Sequence, residues 1–203
     1  MRVVTASQHH AQSIANIYRQ AFPESAALFF RRVPETRLIQ LLELTFSLLF
    51  TMGVQGSLAV DEQGCIAGYC LYSTSSTAET RPSSGDVLRP LGKMAVLAGP
   101  WALLKLLVNE VTMALTARRM KKVPKPEATI VSVAVLPGYQ GQGVGTLLLS
   151  FVLDQLKGQS VGLNVRADNE PGKRLYASAG FEKYGRKRDL SGTWLMMYRK
   201  PSP

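Results

Sequence analysis

Three glycines at alternate positions, in Gln140-Gly141-Gln142-Gly143-Val144-Gly145, stand between two apolar runs. Before them lies Ile130-Val131-Ser132-Val133-Ala134-Val135; after them comes the helix-like Thr146-Leu147-Leu148-Leu149-Ser150-Phe151-Val152-Leu153. Glycine adopts backbone angles closed to other residues, so this turn can aim several N–H groups at one point. The positive end of the following helix lies at the same point, and an anionic phosphate is its natural occupant. A tight strand-to-helix turn with no ligand accounts for the glycines equally well. A nucleoside-triphosphate loop is excluded, because no Lys-Ser/Thr pair closes the run. The Gly-x-Gly-x-Gly spacing also departs from the Gly-x-Gly-x-x-Gly dinucleotide fingerprint.

A second patterned stretch follows: Val161-Gly162-Leu163-Asn164-Val165-Arg166, then Ala167-Asp168-Asn169-Glu170, then Leu175-Tyr176 and Gly180-Phe181. Taken with Gln140-x-x-Gly143-x-Gly145, this resembles the GNAT superfamily of acyl-CoA-dependent N-acyltransferases, and residues 128–184 carry the likeness. The resemblance implies an α/β (α+β) GNAT fold, a mixed central sheet flanked by helices. It also implies acetyl-CoA as cosubstrate and no metal. By the same likeness, Gln140 opens the loop, and backbone N–H groups of Gly141, Gln142, Gly143, Val144, Gly145 and Thr146 face the diphosphate. Val133, Ala134 and Val135 meet the pantetheine arm through their main chain. Asn169 hydrogen-bonds near the pantetheine, and Lys173 and Arg174 reach the nucleotide 3′-phosphate. Tyr176 gives a proton to the departing thiolate. Two of these residues also suit plainer roles: Asn169, shortly before Pro171, a helix N-cap, and Tyr176 a core position.

Acetyl transfer from a thioester to an amine needs the cosubstrate held, the carbonyl polarised and protons moved. The last task has no assigned base. Many relatives carry a glutamate on the strand before the loop, but this chain has Ser132 and no carboxylate from Ala128 to Val135. Asn164 stands where a subgroup that acetylates peptide termini often has Glu. A water chain, or Glu79 from a neighbouring segment, would serve. By the same likeness the acceptor is set by residues outside the matched region, Phe22 to Arg32 and Asp189 to Thr193. Phe22, Phe29 and Phe30 suit an apolar pocket or simply the core, and Arg31 and Arg32 suit an anionic acceptor. His9 and His10 have no spaced Cys or Asp partner that would make a metal site.

The elements that must position these groups alternate along a chain of 203 residues with 46% hydrophobic content, enough for one core and one domain over 1–203. The patterns predict strands at Arg2–Thr5, 57–61 and 65–73, the latter two a hairpin around Asp61-Glu62-Gln63-Gly64. Helices are predicted at 8–21 and 35–52. There follow a strand at 128–135, a helix at 143–157, a strand at 160–165, a helix at 171–179, and strands near 183–189 and 193–199. Between hairpin and loop strand lies an insertion of about 76–127. From Trp101 its Leu104, Leu107, Val108, Val111 and Leu115 recur at helical spacing. Gly99-Pro100 breaks the run, leaving too few consecutive apolar residues for a membrane span. Apolar helical stripes are usually core, so a packing or lid role is expected ahead of a peripheral membrane contact; a homodimer contact is a third role.

The formal net charge is +10. Its clusters, Arg118, Arg119, Lys121, Lys122, Lys125 and Lys183, Arg186, Lys187, Arg188, lack interleaved aromatics, so solvated surface is expected and no nucleic-acid partner. The N-terminus lacks a secretory pattern, and Cys65 and Cys70 are expected as unpaired thiols; both point to a cytoplasmic protein. The function expected is N-acetyl transfer to a small-molecule or peptide primary amine. The alternative is a non-catalytic acyl-CoA-binding module that docks on a membrane or protein partner.

Overall fold

The computed structural model describes residues 1–31, 33–75, 83–119, 122 and 124–202. Eight strands form one sheet: β1 (Arg2–Thr5), β2 (Gln55–Val60), β3 (Ile66–Thr74), β4 (Arg118–Arg119), β5 (Ala128–Val135), β6 (Val161–Arg166), β7 (Glu182–Asp189) and β8 (Gly192–Arg199). Their order across the sheet is β1-β2-β3-β5-β6-β8-β7-β4. Among the described residues the β5–β6 pair alone is parallel, so the sheet is mixed. The helices are α1 (Ala11–Ala21), α2 (Pro23–Phe30), α3 (Glu35–Thr51), α4 (Ser84–Thr116), α5 (Val144–Gln155) and α6 (Glu170–Ser178).

Successive side chains of a strand point to opposite faces, and the hairpin uses both. Leu58, Val60, Tyr69 and Leu71 pack with Ile14 and Ile17 of α1 and Leu38, Leu42 and Phe46 of α3. Ala59, Cys70 and Tyr72 face the other way, into a core built on Val144, Leu148, Leu149 and Val152 of α5. The hairpin turn is held by Asp61, whose Oδ1 accepts the Gln63 and Cys65 N–H groups, while Gly64 takes the left-handed position (φ 87°). Cys65 is exposed, Cys70 is buried, and neither is bridged.

Three expectations need correction. The Phe22 to Arg32 stretch, where the patterns predict no helix, contains the two-turn helix α2, which Pro23 opens at a position where its missing N–H costs nothing. Arg32 itself lies outside the described residues, as do Lys121 and Glu79.

The insertion helix begins at Ser84, well before Trp101, and its 33 residues pass for a bilayer span by length and composition only when both sides of a central break are counted together. Gly99, with φ 75° and ψ 165°, breaks it into 84–98 and 100–116 at the predicted Gly99-Pro100 point. The apolar stripe does not face the core. Leu107 and Leu115 are 62% and 81% exposed, and Leu104 and Val111 are half exposed. What α4 buries instead is Ala98, Ala102 and Asn109. Asn109 Oδ1 accepts the Leu190 N–H at 3.0 Å. Thr116 Oγ1 donates to the Arg188 carbonyl at 2.7 Å and accepts its N–H at 2.8 Å. Short polar side chains therefore fasten this helix to β7 and the turn that follows it.

Candidate active site

The site opens where two strands part. β5 and β6 pair at Ala128↔Val161, Thr129↔Gly162 and Ile130↔Leu163 and then stop, although β5 runs on to Val135 and β6 to Arg166. On its other edge β5 skips Val131 between the Leu71↔Ser132 and Tyr72↔Ile130 pairs. An extra residue of this kind bends its strand, and bulges recur beside active sites. The main-chain groups of β5 from Ser132 onward are left unpaired with β6, ready for an extended ligand.

A groove of about 1000 Å³ follows this opening onto the glycine loop. Gly141 (φ 76°) and Gly143 (φ 79°) take the left-handed conformation, and Gly143 is the N-cap of α5. The third glycine differs: Gly145 sits inside the first turn of α5, where a Cβ would come within 3.4 Å of Leu175. The first N–H groups of α5 have no partner within the helix and carry its positive end. Two side chains fix the loop. Gln140 Nε2 donates to the Val135 carbonyl at 3.0 Å, and Tyr139 donates its phenol to Asp61 Oδ2 at 2.6 Å. The Tyr139 hydrogen bond, with those from the turn N–H groups, holds the Asp61 carboxyl below its ordinary range. One carboxylate thus organises the hairpin turn and steadies the glycine loop.

Val133, Ala134, Val135, Gln140, Gly141, Gly143, Val144, Gly145, Thr146, Asn169, Arg174 and Tyr176 all line the groove. Gln142 and Lys173 do not. Gln142 Nε2 donates to the Gly138 carbonyl, and Lys173 Nζ donates to the Ala167 carbonyl and pairs with Glu170. Asn169 caps α6, its Oδ1 accepting the Gly172 N–H at 2.9 Å.

Beyond the groove, under α4, lies a second cavity of about 510 Å³. Its walls are largely apolar: Phe46 and Leu49 of α3, Met94, Ala98, Leu103 and Leu106 of α4, and Phe30. Ser132 and Asn164 add polar atoms, and the Ser132 hydroxyl lies 3.0 Å from that of buried Tyr69. Trp194 also lines it, with a buried indole N–H that has no partner among the described residues. Phe22, Val133, Arg166, Asn169 and Tyr176 line both spaces. Tyr176 is 8% exposed and stands edge-on to Phe181; burial pushes its phenol above the ordinary range, so it stays protonated.

Sequence reasoning missed Arg166 and Asp168, which form a two-pronged ion pair (Nε–Oδ1 3.0 Å, Nη2–Oδ2 2.7 Å) at the groove. The signal available was weak: opposite charges two apart where a predicted strand gives way to a turn. The guanidinium hydrogen bond pulls the Asp168 carboxyl down. Asp61 was seen only as a turn residue, and Glu24 was missed; it and Asp168 are the carboxylates lining the groove.

The profile of the acetyltransferase (GNAT) family matches residues 11–181. The N-alpha-acetyltransferase RimI of Mycobacterium tuberculosis is 40% identical over 70 residues, 34% of this chain and 44% of that protein, so the match spans less than half of the relative's length. Among solved structures, a histone acetyltransferase HPA2 and related acetyltransferase from Corynebacterium glutamicum superposes with a TM-score of 0.67 at 20% identity, covering 99% of this chain and 96% of the other. A phosphinothricin acetyltransferase from Sinorhizobium meliloti, solved with AcCoA, gives 0.58 at 18% identity over 98% and 86%. With the parted strands, the left-handed glycines and the buried tyrosine in place, the family match completes the assignment: this chain belongs to the acetyltransferase (GNAT) family.

Proposed function

We propose that the protein transfers an acetyl group from acetyl-CoA to a primary amine carried on an apolar body. The observation that carries this reading is that the groove with the phosphate loop and the apolar cavity share Tyr176 and four neighbouring residues. Acetyl-CoA would lie in the groove, its diphosphate against the N–H groups at the start of α5 and its pantetheine along the free edge of β5. The amine would enter from the cavity and attack the thioester carbonyl; the C–N bond forms as the C–S bond breaks. Tyr176, kept protonated by burial, gives a hydrogen bond and then its proton to the leaving sulfur, and the proton shed by the nitrogen passes through water to restore the phenol. The relative from M. tuberculosis is named for acetylating α-amines. A peptide N-terminus beginning with an apolar side chain fits the same cavity chemistry as a free arylalkyl amine.

Among the described residues no carboxylate lines the apolar cavity, and this favours a second reading, an acyl-CoA-binding module without turnover. Thiol release separates the two. With acetyl-CoA and a panel from ethylamine to phenethylamine and hexylamine, kcat/KM should rise about fourfold per added methylene until the cavity is full. Tyr176→Phe should lower kcat by about a hundredfold while leaving CoA affinity in place. CoA binding with no thiol release from any amine would give the second reading preference.

A further inference from the structure

Most of the exposed large hydrophobic side chains among the described residues lie on α4. In 100–116 the outward stripe of Leu104, Leu107, Val108, Val111 and Leu115 carries no charge, while Ala102 and Asn109 turn inward. In 84–98, the exposed Leu88 and Val96 stand beside the exposed Arg89 and Lys93. Trp101, 67% exposed, sits just past the Gly99 break, and Lys122 and Lys125 are exposed beyond the helix end. There β4 brings Arg118 into register with Arg186 of β7. An apolar stripe, an exposed tryptophan and flanking cations are the composition of a helix that lies in a bilayer interface.

We propose that α4 docks this protein on the surface of an anionic lipid bilayer, with Leu104, Leu107, Val111 and Leu115 among the acyl chains and Arg89, Lys93, Lys122 and Lys125 at the headgroups. The helix does not cross the bilayer. Gly99 divides it into segments each shorter than the roughly 20 residues a crossing needs, and Asn109 and Thr116 hold its inward side to the β7 region. A second copy of the chain suits this face less well. It would set Arg89, Lys93, Lys122 and Lys125 against their own counterparts in a chain of net charge +10, whereas anionic headgroups complement them. Because α4 also walls the apolar cavity through Met94, Ala98, Leu103 and Leu106, docking brings that cavity beside the lipid.

The test is co-flotation of the full chain with vesicles of phosphatidylcholine alone and of phosphatidylcholine with phosphatidylglycerol, at low and high salt. The protein should float with the anionic vesicles, and high salt should weaken the binding. Leu107→Glu with Val111→Glu should reduce partitioning by about a hundredfold, and Arg89→Gln and Lys93→Gln by about fivefold each. None of these residues lines the groove or the cavity, so CoA binding reports that the variants are folded. No flotation with anionic vesicles, or equal flotation of the folded Leu107→Glu/Val111→Glu variant, would overturn the proposal. So would a concentration-dependent dimer that Leu107→Glu abolishes while vesicles fail to bind.

Discussion

Helices α5 and α4 are both rich in Leu and Val, yet they meet opposite surroundings. α5 buries Val144, Leu148, Leu149, Val152 and Leu153 in the core on one face of the sheet. α4 buries Ala98, Ala102 and Asn109 and leaves Leu104, Leu107, Val111 and Leu115 in solvent. Periodicity defines which residues share a stripe; it does not say which way the stripe points. For α5 the direction is forced, because β5 ends shortly before it and β6 begins shortly after it. For α4 the direction is set from the other side, by Asn109 and Thr116 reaching the backbone near β7. One helix is a structural support for the glycine loop at its own N-terminus. The other is a surface element whose inner edge walls the apolar cavity.

The contrast can be broken by equal insults to the two stripes. Leu148→Ala in α5 should cost about 2–5 kcal/mol by leaving a cavity in a fully buried site, read as a fall in denaturation midpoint. A cost near zero would mean that α5 is not the keystone of that core. Asp61→Asn should have a smaller effect with a particular pH signature. Asp61 is held below its ordinary value of 3.8 by Tyr139 and the turn N–H groups, so its contribution is present above that value and lost as pH falls through the folded-state pKa. The variant should therefore show a weaker loss of stability on acidification, together with weaker CoA binding through the loosened loop. Identical acid profiles for the two proteins would detach Asp61 from the loop. Leu107→Ser in α4 should shift stability in buffer by less than about 0.5 kcal/mol, because the side chain is already in water. A loss comparable to that of Leu148→Ala would show that the α4 stripe is covered.

The contrast also marks how far the sequence could be read. The β5–loop–α5 unit was legible because glycine chemistry and helix polarity are local, and the hairpin turn because Asp61 and Gly64 act within a few residues. The parting of β5 from β6 was not, since it depends on where pairing between distant segments stops. α2 escaped because two turns between Pro23 and Phe30 are too short for a period to emerge. The second cavity is non-local too: Phe46, Leu103, Leu106, Ser132 and Trp194 come from four separate parts of the chain. Glu79, one candidate base, lies outside the described residues.

The central claim is that the Gly141–Thr146 loop holds the diphosphate of acetyl-CoA, and calorimetric titration of acetyl-CoA into the protein and into Gly143→Val tests it most directly. The account predicts one-to-one binding that weakens by about tenfold or more in the variant, because a β-branched residue resists the left-handed conformation that aims the loop. Absence of binding to the native protein, or equal affinity in a folded Gly143→Val, would contradict it.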